Sequence, residues 1–341
     1  MSVVVQQAAA VCEGCGTGLS GALLACPGCH RLVHAARLKE LAAEASAAAA
    51  ATDTGAELAA WRSSLELLPR QSRQYATISE RIARLSASVD AATVAPPSGR
   101  WKWLAALGPI GLLVWKFKFL LVAILSKGKL LVLGLTKSST LLSMFATVGL
   151  YWTQWGLWFA LGLVISIYIH EMGHVAALRR YGIRASAPMF IPGFGAFVQL
   201  KQAPVSTAED ARIGLAGPVW GLSAAIAATI GAQLGGGPLW LAVAHTAAWL
   251  NLFNLMPIWQ LDGSRAFSAL SRVERWIATA ALAVAWMLTR DGVVLLVLLV
   301  AIGRSVVGTD NTASDRGALG IFVFLVLPLT IVFQATQSIA H

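Results

Sequence analysis

Charged side chains are scarce in this sequence. Only 12% of its 341 residues are Asp, Glu, Lys or Arg, against 57% hydrophobic, whereas a soluble globular domain is about a quarter charged. Together with a mean hydropathy of +0.68, this deficit excludes a wholly soluble chain and predicts a polytopic membrane protein. Cysteine is nearly absent too: the four present all fall between Cys12 and Cys29. The opening MSVVVQQAAAVCEGCG lacks the basic n-region of a signal peptide and runs straight into a cysteine motif, so no cleaved leader is expected. Acidic residues are outnumbered, 16 against 26, which gives a net charge of +10. The basic residues gather at the ends of apolar runs (Lys127 and Lys129; Arg179, Arg180 and Arg184; Arg272 and Arg275), as cytoplasmic flanks do under the positive-inside rule. The expected partner of this charge is a lipid bilayer surface, not nucleic acid.

The first hundred residues are rich in Ala, Glu, Arg and Ser, and from Trp101 onward long apolar runs alternate with short basic patches. In CEGCGTGLSGALLACPGCH, Cys12, Cys15, Cys26 and Cys29 form two CxxC knuckles. Four thiolates at that spacing close a tetrahedral Zn²⁺ site, and glycines after the cysteines suit the tight turns. CPGCH is also a haem-attachment pattern, but that leaves the first CxxC unexplained, and both haem attachment and disulfides demand an oxidising compartment. Structural zinc in a reducing cytosol is the expectation. After the knuckles, apolar positions recur at helical spacing, with breaks expected near Asp53–Gly55 and Pro69. AELAAWRSSLELLP followed by SRQYATISERIARL resembles a tetratricopeptide-type helix pair, read either as a spacer or as a docking surface for a cytosolic partner. APPSGR, 95–100, is the linker into the membrane part.

About 20 apolar residues span a bilayer as a helix, and candidates lie near 104–125, 130–152, 156–178, 211–234, 239–260, 274–290, 292–308 and 318–337. RRYGIR after the third places that end in the cytosol. If both earlier segments crossed, the cysteines would lie outside, so one of the two is expected to lie in the interface or re-enter. Trp152, Trp155 and Trp158 form an expected interfacial belt.

One motif conflicts with these surroundings. IHEMGH, 169–174, sits inside the apolar run GLWFALGLVISIYIHEMGHVAALRR. Residues i and i+4 of a helix share a face, so His170 and His174 can address one metal ion with Glu171 beside them. Ionisable groups in mid-membrane are costly and mark function; the alternative is a chance HExxH whose histidines hydrogen-bond between helices. A third ligand is needed, with the fourth position left for water. Asp262, in NLFNLMPIWQLDGSR, follows an apolar helix separated from the first by one crossing segment. Both helices then run the same way and their motifs reach similar depth. The plainer reading of Asp262 is a helix cap. His245 lies almost five turns from Asp262 and is read as an interior hydrogen-bonded histidine, with a place on the substrate path as the alternative. Asp291, Asp310 and Asp315 are read as loop acids.

HEMGH, AGPVWGL at 216–222 and FNLMPIWQLDGSR at 253–265, in that order in apolar helices, resemble the site-2 protease family of intramembrane metalloproteases. The resemblance covers residues 150–270. It implies zinc ligands His170, His174 and Asp262, general base Glu171, and Asn254 as the asparagine that holds substrate backbone or stabilises an oxyanion. SAPMFIPGFGAFVQL, 186–200, resembles the family's re-entrant β-loop, whose edge strand pairs with an unwound substrate; Gly193, Gly195 and Phe197 are its candidate substrate-binding residues. Read on its own residues, that loop has Gly193, Gly195, Pro188 and Pro192 against a regular helix, while Phe190, Phe194 and Val198 tolerate extension; a surface loop is the alternative. Gly221 and Ser264 depart from the family, many of whose members carry asparagine and glycine there. GPVWG, 217–221, reads as a close-packing stretch.

The expected fold is all-α: a polytopic transmembrane helical bundle with a re-entrant β-loop, plus a small cytosolic zinc ribbon and helical hairpin. Its parts are a zinc ribbon at 1–35, a tetratricopeptide-like helical segment at 36–95, linker and membrane-associated segments at 96–150, a catalytic core at 151–270 and additional transmembrane helices at 271–341. The resemblance implies a zinc endopeptidase of the cell membrane cutting transmembrane protein substrates, with one catalytic and one structural Zn²⁺. Two rival readings are a membrane zinc hydrolase acting on non-peptide substrates and a non-proteolytic adaptor recruiting partners through its arm.

Overall fold

The computed structural model describes residues 10–12, 14–19, 23–94, 138–193, 195–307 and 314–337. The expected span at 104–125, the start of that at 130–152, the linker 95–100, Phe194 and Asp310 lie outside the described residues. The chain divides into two compact units, the first drawn from the residues up to Thr93 with Arg179–Arg184, the second from Val94–Leu178 with Ala185 onward.

In the first unit, β1 (Ala10–Val11) and β2 (Gly18–Leu19) pair antiparallel. The two cysteine knuckles repeat one hydrogen-bond pattern: Gly16 N donates to Cys12 O and Cys12 N to Thr17 O, as His30 N donates to Cys26 O and Cys26 N to Arg31 O. Each turn needs a left-handed residue at its fourth step, supplied by Gly16 at φ 72° and by His30 at φ 58°. Three helices follow, α1 (Ala35–Ala50), α2 (Thr54–Leu65) and α3 (Arg73–Val94), so the arm exceeds a simple hairpin. Asp53 ends the first break by capping α2, its carboxylate accepting from Ala56 N. The buried Glu57 of α2 takes Arg81 of α3 at 2.9 Å. Arg179–Arg184 packs into this unit through backbone: Arg62 donates to Tyr181 O and Arg180 to Val89 O. Gly182 sits at φ 65°, where a Cβ would come within 2.4 Å of Ala59 N.

The second unit holds α4 (Ser138–Trp155), α5 (Leu157–Arg180, its last two residues counted above), the hairpin of β3 (Met189–Ile191) and β4 (Gly195–Phe197), then α6 (Thr207–Gly231), α7 (Gly237–Asn254), α8 (Asp262–Ser268), α9 (Arg272–Thr289), α10 (Gly292–Val307) and α11 (Arg316–Gln337). Among the described residues, Leu157–Arg180, Thr207–Asn254 and Arg316–Gln337 are long and apolar enough to cross a membrane, and Gly292–Val307 is a shorter apolar helix. Thr207–Asn254 is not one rod. A π turn at Ala232–Gly236 with Gly235 at φ 101° folds it back, so α6 and α7 pack side by side. The α9 helix occupies the expected 274–290 segment, but Arg272, Glu274 and Arg275 in its first turn make it more polar than a free span.

The apolar core joins α6 to α11, with Phe267 and Phe322 fully buried at its centre. A second cluster packs Tyr168 and Met172 of α5 with Phe190 and Trp220. Gly173 lets α5 and α6 touch, since a Cβ there would lie 2.4 Å from Ala216 O. Beside α7, α5 runs parallel in constant register: Gly162 meets Val243 and His170 meets Asn251. The β hairpin aligns Met189 with Phe197 and Ile191 with Gly195. It leans on α4, where Thr140 donates to Pro188 O and Phe190 N to Ser143 Oγ. Asp291 and Asp315 do more than sit in loops. Asp291 caps α10, and Asp315 caps α11 while pairing with the nearly buried Arg212 of α6 at 2.8 Å. His245 donates or accepts with Thr336 Oγ1 at 3.1 Å and stacks on Phe333, an interior histidine.

Candidate metal centres and catalytic pocket

His170 and His174 lie one turn apart on the buried face of α5, and each ring is held by its far nitrogen. His174 Nδ1 faces Ile213 O of α6 at 2.8 Å. A carbonyl can only accept, so this Nδ1 carries a proton and Nε2 is the ring atom left to face a metal ion. His170 Nδ1 faces Asn251 Oδ1 at 2.8 Å. The two Nε2 atoms then face each other 3.2 Å apart, a separation at which two ring nitrogens share either a proton or a metal ion.

Asp262, first residue of α8, supplies the third vertex: its Oδ2 lies 3.2 Å from His170 Nε2 and its Oδ1 3.3 Å from His174 Nε2. Ligands held tetrahedrally at Zn–N and Zn–O bond lengths of 2.0–2.1 Å stand about 3.3–3.4 Å apart. The imidazole nitrogens stand 3.2 Å from each other and 3.2–3.3 Å from the nearer carboxylate oxygen, one oxygen facing each ring, close to that separation, so the residues fit a zinc ion. Gly217 of α6 keeps the ring edges clear, because a Cβ there would lie 2.2 Å from His174 Nε2 and 2.7 Å from His170 Nε2. Gly263 secures Asp262, its α-carbon pressed so close to Leu255 O that a Cβ would lie 1.9 Å away. His170, Glu171, His174 and Asp262 are all buried.

A cavity of about 200 Å³ opens beside the triangle, lined by His170, Glu171, Asn251 and Asn254 and, from the hairpin, by Gly195 and Ala196. Asn254, at the end of α7, brings its Nδ2 to 3.4 Å from His170 Nε2. The other residues expected to touch substrate lie farther out: Gly193 forms the hairpin turn at φ 85°, and Phe197 is 42% exposed outside the cavity lining. Sequence reasoning missed Asn251 and the ring-side place of Gly217.

In the first unit, Cys12 and Cys29 Sγ lie 3.6 Å apart and Cys15 and Cys26 Sγ 3.5 Å, with all four sulfurs within 4.8 Å of one another. These separations exceed a disulfide and sit near the roughly 3.8 Å edge of a tetrahedron with Zn–S bonds of about 2.3 Å. The Thr17 hydroxyl, 3.1 Å from Cys15 Sγ, and the Thr17 backbone hold that thiol down at about 6, toward the thiolate that binds metal. Cys26→Ser is expected to remove one zinc per chain and leave the buried histidine site loaded, read as metal content of the purified protein.

Comparison with known proteins bears on α5, α6 and the segment between them. Residues 158–237 match the model of peptidase family M50. The match spans His170, Glu171, His174 and Gly217 and stops before Asp262, whose place rests on the geometry above. A zinc metalloprotease of Methanocaldococcus jannaschii is 29% identical over 121 residues, 34% of this chain and 34% of the relative. The chain thus spans about a third of the length of the curated relative it matches.

Proposed function

We propose that the chain is an intramembrane zinc endopeptidase, hydrolysing peptide bonds in or near the transmembrane helices of membrane-anchored substrates. The observation that carries this reading is the cluster of His170, His174 and Asp262 at pairwise separations of 3.2–3.3 Å, buried among apolar helices beside a cavity that one β strand borders. His170, His174 and Asp262 would hold the ion, and when bound it would supply Lewis acidity toward a carbonyl oxygen and a water of lowered pKa.

Glu171 takes the proton of the attacking water and returns it to the leaving amine. Asn254 Nδ2 donates to the carbonyl oxygen as its charge grows, in a site where few waters compete. A helical peptide bond is shielded by its own hydrogen bonds, so the substrate must enter extended. Gly195 and Ala196 of β4 border the cavity, and residues this small suit pairing of this strand with such a segment; Gly193 turns the hairpin and Phe197 offers an apolar contact at its outer end. The zinc ribbon and helices α1–α3 form a cytosolic arm able to receive a partner.

The test is reconstitution in lipid vesicles with a labelled single-span peptide. Wild type is expected to release fragments cut within the span, faster when helix-weakening glycines are placed near the cut, and to release no fatty acid from lipid. Chelator and Asp262→Ala are expected to stop it. Fragments cut only outside the span, or lipid hydrolysis without peptide cleavage, would overturn the proposal.

A further inference from the structure

Two residues face each other across the α6–α7 contact beside the metal ligands. Asn251 of α7 is 3% exposed. Its Nδ2 donates to Ala247 O at 2.8 Å, which settles the amide orientation and turns Oδ1 toward His170 Nδ1 at 2.8 Å. Opposite stands Gly221 of α6, where a Cβ would lie 2.0 Å from Asn251 Oδ1, 2.4 Å from Nδ2 and 2.5 Å from Cγ. No side chain fits at 221 while Asn251 holds its place. Gly221 is also the position at which the sequence departs from the asparagine that many site-2 proteases carry.

We infer that Asn251 is the positioning residue of His170, and that its amide occupies from α7 the space that a side chain at 221 would occupy from α6. By accepting from Nδ1–H, Asn251 fixes the tautomer and rotation that aim His170 Nε2 at His174 and Asp262, as groups behind metal-binding histidines do. Gly221 is the vacancy that admits it. Positions 221 and 251 are therefore coupled: either can be large, but not both. This rests on the reading of the His170, His174 and Asp262 triangle as a zinc site.

The test measures zinc affinity at the buried site of the purified full-length protein, by competition with a chromophoric chelator, alongside the thermal midpoint of the zinc-free form. Asn251→Leu, similar in size and without an acceptor, is expected to weaken zinc by about 10–100-fold while the zinc-free midpoint stays near wild type. Gly221→Asn alone is expected to weaken zinc as much or more, through collision with Asn251. The double variant Gly221→Asn with Asn251→Ala is expected to recover most of the affinity lost in Asn251→Ala. Wild-type affinity in Asn251→Leu, or a double variant no better than Asn251→Ala, overturns the inference while leaving the zinc site standing. Wild type holding only the ribbon's zinc overturns both.

Discussion

Gly217→Ala is expected to strip zinc from the buried site and to stop peptide hydrolysis, although no ligand is altered. The added carbon would stand 2.2 Å from His174 Nε2 and 2.7 Å from His170 Nε2, whereas packed carbon atoms settle at about 3.5–4.0 Å. Neither ring can retreat freely. His174 is tied to Ile213 O, four residues from Gly217 on the same helix, and His170 is tied to Asn251. A zinc site tolerates distance errors of only about 0.2 Å, and displacing rings by more should cost upward of about 100-fold in affinity, beyond what loss of a supporting hydrogen bond costs. Metal content should fall from two ions per chain to one, the ribbon's. Gly303→Ala, on α10 with open space about it, is the matched control and should change neither zinc nor activity. An alanine at 217 that kept the second ion at wild-type affinity would refute the placement of the triangle.

The same glycine shows where the sequence stopped being readable. HExxH is legible because helix periodicity alone puts His170 and His174 on one face. Asp262 was within reach because counting crossings makes α5 and α7 parallel, and the register of Gly162 with Val243 and His170 with Asn251 has that direction. The hairpin announced itself through Pro188, Pro192, Gly193 and Gly195, which leave no room for a helix. Gly217 and Gly221, by contrast, look alike in sequence: small residues in an apolar helix, read as packing. Only the facing helices tell them apart, one lying against imidazole edges and the other against an amide from thirty residues on. Asn251 was hidden for the same reason, since Asn254 in the same stretch carried the family pattern. Asp315 read as a loop acid because its partner Arg212 is distant in sequence, and a long-range ion pair leaves no local mark.

Glu171→Gln is expected to lower the turnover of membrane-anchored peptide by about 10²–10⁴-fold, the range for losing a positioned general base, with both zinc ions still bound. Glutamine has nearly the same size and stays uncharged at a position only 6% exposed, so the surrounding packing of α5 should hold. Glu171 lies outside the triangle of ligands and lines the cavity beside it; its loss should therefore appear in kcat, with KM and metal content little changed. Asp262→Ala separates the roles. It removes one vertex of the triangle, so zinc and activity should fall together, whereas in Glu171→Gln they part. Metal loss in Glu171→Gln would make that residue a ligand, and turnover within a few-fold of wild type would assign the proton transfer to another group. Either result would break the link between the cavity wall and the chemistry proposed for it.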